Sequence, residues 1–240
     1  MTFRTIEISD PQFENDGLRY LTVKSQALGG RADVSVFIPK EARGKTGLPV
    51  IFLLHGVYGS HWAWTLRGGV HSTLQRMITD EALQPFILVM PSDGLWGDGS
   101  GYVPHQFQNF EAWIGEELPE LILQTIEEVN ADSIFYTAGL SMGGYGAFRV
   151  GLKYAPFFKG ISGLSSLTDI RDIEKIVEED WSFWDRENQL NSIAEIILKH
   201  KNVLPPFRFD CGKEDELRLN NRALHEDLLK NKIPHIYEEF

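Results

Sequence analysis

The chain has 240 residues, 42% of them hydrophobic and 24% charged, enough for one sizeable core in a single domain spanning 1–240. A net charge of −11 argues against nucleic acid or an anionic membrane as partner, because phosphate binding needs clustered Lys and Arg. Cys211 is the single cysteine, which excludes an intrachain disulfide and a thiolate zinc site.

The opening segments "RTIEIS", "RYLTVKS" and "ADVSVFIP" alternate polar and apolar residues, as half-buried antiparallel strands do. Nothing in residues 1–30 reads as a basic start followed by an apolar core, so a cytoplasmic setting is expected. From Pro49 the pattern changes. "PVIFLLHG", "PFILVMPS" and "SIFYTAGLS" are continuous apolar runs, the signature of strands buried on both faces of a parallel sheet. Helical stretches are predicted between them at roughly 68–83, 109–130 and 143–154. "FKGISGLSS" and "PFRFDCG" follow as buried strands, with "NSIAEIILKH" and "NNRALHEDLLKN" as helices. This alternation predicts an α/β fold: a mostly parallel central sheet, antiparallel at its amino-terminal end, with helices on both faces. Chemistry is then expected in the loops that follow the strands.

One such loop is Gly139-Leu140-Ser141-Met142-Gly143, a G-x-S-x-G between a buried strand and a helix that begins at once. An abrupt strand-to-helix turn holds its serine in a strained, exposed position, and side chains at Gly139 and Gly143 would collide across it. Gly144 and Gly146 are expected to let the helix lie close to the sheet. The helix amino end supplies N–H groups for developing negative charge. A second donor is expected from the loop after an earlier strand, here "HGVYGSHWAW". The predicted pair is Val57 N–H with Met142 N–H, and Tyr58 N–H is the fallback. His55 is the tempting base, but in triads of this order the base lies after the acid. Tyr58, Trp62 and Trp96 are candidate pocket residues; Trp64 is a further loop tryptophan, and packing is the commoner role for such rings.

Together "LLHGVYGSHWAW", "GLSMGGYGAF" and "DCGKEDEL…NNRALHEDL" resemble the esterase D-like branch of the α/β-hydrolases. That branch includes tributyrin-type acetyl esterases, S-formylglutathione hydrolases, feruloyl esterase domains and the antigen 85 mycolyltransferases. The resemblance implies hydrolysis of a small-molecule ester by a serine nucleophile, Ser141, without a cofactor. It also places the triad acid at Asp215, with Glu214 and the strand residue Asp210 as rivals. The family's last strand is followed by a Pro-Gly-Gly-His-x-Trp loop that delivers the base. Here "HIYEEF" would complete that strand, so the expectation is a domain lacking the catalytic-histidine loop, with impaired activity. His61, His71, His105, His200, His225 and His235 all lie in other segments.

Two other functions remain open at this stage: a non-catalytic binding protein on the same fold, and an acyltransferase using the same serine. "WGDGSGY" lacks the strand, helix and glycine spacing of a dinucleotide loop, and no His/Glu spacing suits a metalloprotease. The acidic insert "TDIRDIEKIVEEDWSFWDREN" is long enough only for a partial lid, which points to short acyl chains.

Overall fold

In the computed structural model, residues 3–180, 184 and 192–240 are described. Among these residues nine strands form one sheet: β1 (Ile6–Ile8), β2 (Leu18–Ser25), β3 (Gly30–Phe37), β4 (Val50–Leu54), β5 (Ile87–Pro91), β6 (Phe135–Leu140), β7 (Phe158–Leu164), β8 (Phe207–Cys211) and β9 (Ile236–Glu239). Their spatial order is β1-β2-β3-β5-β4-β6-β7-β8-β9. The first three strands and the β3–β5 pair are antiparallel; from β5 through β9 every pairing is parallel.

The period-2 alternation of the strands builds two cores. Phe52, Leu54, Ile87 and Val89 face the larger one, shared with α3 (Leu118–Thr125), α4 (Met142–Lys153), α5 (Ile193–Lys199) and α6 (Arg218–Lys230). Leu53, Leu88 and Met90, the intervening residues, face a smaller core closed by Leu74 and Ile78 of α1 (Val70–Thr79). Helices therefore cover both faces, as the continuous apolar runs required. Beyond α1 the second face opens into a groove of about 340 Å³, bordered by Ile51, Tyr136, Ala138, Ser162, Arg208 and Ile236.

Two helix boundaries differ from the sequence expectation. The predicted 68–83 helix begins only at Val70, because Gly69 sits at φ +63° and interrupts the run after the π-helical turn Ala63–Arg67. The predicted 109–130 helix is a short α2 (Phe110–Ala112), a π-helical turn at Trp113–Glu117, then α3. It stops at Thr125 because Ile126 turns extended and buries its side chain, as Val129 does, in the larger core. Among the described residues no helix is long and apolar enough to cross a membrane, and no group of three or more His, Cys, Asp or Glu could hold a metal ion.

Candidate active site

Sheet register sets the geometry. Leu54 pairs with Gly139, Leu140 with Leu164, and Leu164 with Asp210, so β4, β6, β7 and β8 end side by side. Ser141 is the first residue past β6, Val57 the third past β4, and Asp215 the fourth past β8. All three lie on loops at the carboxyl edge of the sheet.

Ser141 adopts φ 57°, ψ −117°, between strand β6 and helix α4. A left-handed conformation of this kind costs a non-glycine residue about 1–3 kcal/mol and persists only where its surroundings over-determine it. Here they do. Ser141 N–H donates to Leu164 O (2.9 Å), and Ser141 O accepts from Gly144 N–H (3.0 Å), Leu167 N–H (3.1 Å) and Tyr145 N–H (3.2 Å). A Cβ on Gly139 would stand 2.1 Å from Gly143 O, and one on Gly143 would stand 2.3 Å from Leu54 O. The expected collision across the turn holds for Gly139, while Gly143 is constrained by the end of β4 instead. Gly144 and Gly146 behave differently from expectation: they make room for Ser166 and Tyr102, side chains of loops, not for the sheet itself.

Helix α4 is anchored from behind. The buried Glu111 carboxylate accepts from Arg149 Nε and Lys153 Nζ, and Arg149 Nη1 donates to Tyr145 Oη at 3.3 Å. Burial pushes the Tyr145 phenol up to about 12, so it stays a neutral partner.

The loop after β4 lies against the serine. A Cβ on Gly56 would sit 3.4 Å from Ser141 Cβ and 4.0 Å from Oγ, while Gly99 packs between Met142 Sδ and Val57 Cγ1. Among the described residues neither Val57 N–H nor Met142 N–H has a backbone acceptor outside regular structure. Tyr58 N–H, the fallback donor, is committed to Asp98 O at 2.7 Å, which removes it from that role. The Tyr58 and Trp62 side chains are exposed. Trp96 instead packs against His105 and Phe110, with ring centroids 5.2 and 6.2 Å away. Trp64 is half-buried against the smaller core.

Asp215 is half-buried and its Oδ1 accepts from Leu217 N–H at 2.8 Å, at the entry to α6. Its Oδ2 has no hydrogen bond among the described residues. Its rivals are placed differently. Asp210 points within β8 to Arg208 (3.1 Å), with its carboxyl pushed up by burial, and Glu214 is exposed. Cys211 is buried, and burial pushes its thiol up, away from a reactive thiolate.

The histidines all lie away from Ser141 and Asp215 or are bonded elsewhere. His55 Nε2 accepts from Asp93 N–H (3.1 Å), which leaves Nδ1 to donate to Gly56 O (2.8 Å). Both ring nitrogens are used, and the candidate base is a structural residue. His61 bonds Ser35, His71 lies beside Phe37 and Ser72, and His200 ends α5. His105 bonds Ser100 O, and burial holds its pKa down to about 4. His225 and His235 bond each other at 2.8 Å, with His235 just before β9 and stacked on Phe207, at the opposite edge of the sheet from Asp215. Among the described residues no imidazole nitrogen is bonded to Ser141 or Asp215. Phe240 does reach the Asp215 loop, its carbonyl accepting from Lys213 N–H at 2.8 Å.

Residues 25–231 match the family model described as "Putative esterase". The chain belongs to that esterase family. It is 28% identical over 211 residues to the acetyl esterase of Caldicellulosiruptor saccharolyticus, covering 80% of this chain and 75% of that protein. Its fold resembles a ferulic acid esterase (TM-score 0.75, 22% identity, 98% of this chain and 89% of the other). It also resembles the S-formylglutathione hydrolase FrmB of Staphylococcus aureus (TM-score 0.74, 16% identity, 97% and 91%). The esterase is a carboxylic ester hydrolase on the α/β-hydrolase fold.

Proposed function

We propose that this esterase cleaves short-chain acyl esters of small molecules through an acyl-enzyme on Ser141. The observation that carries the reading is the strained elbow: a serine held at φ 57° by four backbone hydrogen bonds, at the amino end of a buried helix. In this reading Ser141 Oγ attacks the ester carbonyl. The Val57 and Met142 amides hold the oxyanion of the tetrahedral intermediate, as pre-positioned donors in a water-poor cleft do. The alcohol or thiol then leaves, and water releases the acid from the serine ester. Asp215 would orient and stabilise an imidazolium rather than take its proton.

The short-chain preference rests on the small insert and on the likeness to the acetyl esterase. Ile170–Lys175 of the insert forms a 3₁₀ turn packed on the core, while 181–183 and 185–191 lie outside the described residues. Acyl transfer to an alcohol would use the same groups and differ only in the acceptor. The test is covalent: a fluorophosphonate should add its phosphonyl mass to the Ser141 peptide, and Ser141→Ala should abolish both labelling and turnover of p-nitrophenyl acetate. Adduct on a different serine, with Ser141 bare, overturns the reading.

A further inference from the structure

Residues 176–179 of the insert close a ring of hydrogen bonds around the loop that carries Val57. Tyr58 N–H donates to Asp98 O (2.7 Å), and Asp98 N–H donates to Glu179 Oε1 (2.9 Å). Glu178 N–H donates back to Asp98 Oδ2 (2.9 Å), and Tyr58 O–H donates to Ile176 O (2.7 Å). Two loops that follow different strands, β4 and β5, are thus tied to each other and to a third segment after β7. That third segment is rooted: Ile170, Ile173 and Val177 are buried in the larger core.

The tie is specific in shape. Gly97 sits at φ +43°, and a Cβ there would stand 1.7 Å from Glu179 Oε1 and 2.1 Å from Cδ. The carboxylate occupies the place where a side chain at 97 would go. Tyr58 has a left-handed backbone (φ 60°), although its side chain is 62% exposed and gains little from packing. A tyrosine in that conformation needs external hydrogen bonds to stay there. It donates two, one from its amide and one from its phenol.

We propose that Glu179 and Tyr58 are positioning residues, which through Asp98 and Ile176 fix the peptide that presents the Val57 amide to the oxyanion. The inference rests on the reading of Ser141 and Val57 given above and adds a control on it. Oxyanion donors stabilise a transition state only when they stand about 2.7–3.1 Å from the developing charge before it forms. Val57 is joined directly to Tyr58, so freedom at residue 58 becomes misalignment at the donor. The insert then acts as a brace on the catalytic loop. Substrate contact is not needed for this role, so its loss should appear in the chemical step and not in ground-state binding.

The experiment compares Tyr58→Phe, Glu179→Ala and Glu179→Gln with the parent chain. The readouts are the second-order rate of fluorophosphonate labelling at Ser141, the KM for p-nitrophenyl acetate, and the melting temperature. Labelling also develops charge on an oxygen in the oxyanion site, so it reports donor alignment without needing full turnover. Glu179→Ala should slow labelling about tenfold and Tyr58→Phe several-fold, well short of the roughly 10²–10³ expected for losing a donor outright. KM and melting temperature should hold, and Glu179→Gln, which keeps an acceptor for Asp98 N–H, should restore the parent rate to within about twofold. The double variant Tyr58→Phe/Glu179→Ala should cost less than the product of the single effects, since both act on one loop. Parent-like rates in Glu179→Ala and Tyr58→Phe, with Ser141 still labelled, overturn the brace alone. A Glu179→Gln rate as low as that of Glu179→Ala overturns the hydrogen-bond account. A parent chain unlabelled at Ser141 overturns the underlying reading and the brace with it.

Discussion

Gly143, two residues past the serine, lies under the end of β4 so closely that a methyl group on it would meet Leu54 O at 2.3 Å and His55 O at 2.6 Å. The first turn of α4 is therefore pressed against the strand that leads into the Val57 loop. Gly143→Ala should push the two apart. Forcing extra atoms into a packed site costs about 1–3 kcal/mol, and more where the obstacle is backbone. The expected result is a lower urea midpoint with an unchanged m-value, and slower Ser141 labelling than the stability loss alone explains. A variant with parent stability and parent labelling would contradict the contact.

Glu111 holds α4 from its far side, buried with Arg149 and near Lys153. Removing one partner of a buried ion pair strands the other charge, at a typical cost of about 3–5 kcal/mol. Arg149→Met should destabilise toward the lower end of that scale, because Glu111 keeps the half-exposed Lys153, whereas Glu111→Gln/Arg149→Met, which leaves unpaired only a lysine that water can reach, should recover much of the loss. Urea unfolding of the two variants measures it, and equal losses in both would mean that the charge pair is not the source.

The fold was largely legible and the hydrogen bonds around the candidate site were not, for physical reasons. Strands such as Phe52-Leu53-Leu54 announce themselves because burial on both faces leaves no polar alternation. The elbow was legible because glycine at 139 and 143 is a steric requirement visible in the letters. A loop beside the serine is expected after a buried strand, and the loop after β4 does lie there. That Tyr58 N–H is spent on Asp98 could not be read, since the partner is forty residues away and backbone atoms carry no sequence signature. The same holds for Glu179, whose role depends on a gap above Gly97. His55 is tempting as a base in sequence but stands before the acid, the wrong order for such a triad, and its two hydrogen bonds give the physical reason that it is structural.

His105 gives the chain a pH dependence with a defined sign. Its ring is buried beside Trp184, Phe110 and Trp96, and desolvation holds its pKa at about 4, below the ordinary 6.5. The unfolded chain therefore takes up a proton that the folded chain refuses once pH falls below about 6.5. Stability from this group is fully present above that value, declines as pH falls toward 4, and is lost below it, by about 3 kcal/mol in all. Urea unfolding at pH 7 and pH 4.5 should show the decline, and His105→Gln should flatten it. An equal slope in both chains would assign the acid sensitivity to other groups.

Acyl-chain length should discriminate sharply. With p-nitrophenyl esters from acetate to palmitate, kcat/KM is expected to peak at acetate to butyrate and to show no jump when the substrate forms micelles. Higher turnover of long-chain emulsions would mean that the insert forms a larger acyl site than proposed.

The base is the last and most decisive test. Among the described residues no imidazole is bonded to Ser141 or Asp215: His55 is closed off on both nitrogens, and the His225–His235 pair lies at the far edge of the sheet. With no imidazole at Ser141, the expectation is that the serine works without general-base help in acylation and without an acid for the leaving group. Loss of that assistance in serine hydrolases costs on the order of 10⁴–10⁶ in turnover, leaving the oxyanion donors and binding to do what remains. Two outcomes follow. Replacing each of the seven histidines in turn should leave acetate-ester turnover within a few-fold of the parent wherever the fold survives. Free imidazole should accelerate the parent chain beyond its background effect on the ester, and Ser141→Ala should remove that excess, because the added base can act only where the serine is poised. Ordinary enzyme rates without imidazole, abolished by one histidine substitution that leaves the fold intact, would identify that histidine as the base. His225 and His235 would be the first to examine, and the position of β9 relative to the Asp215 loop would then have to change on substrate binding.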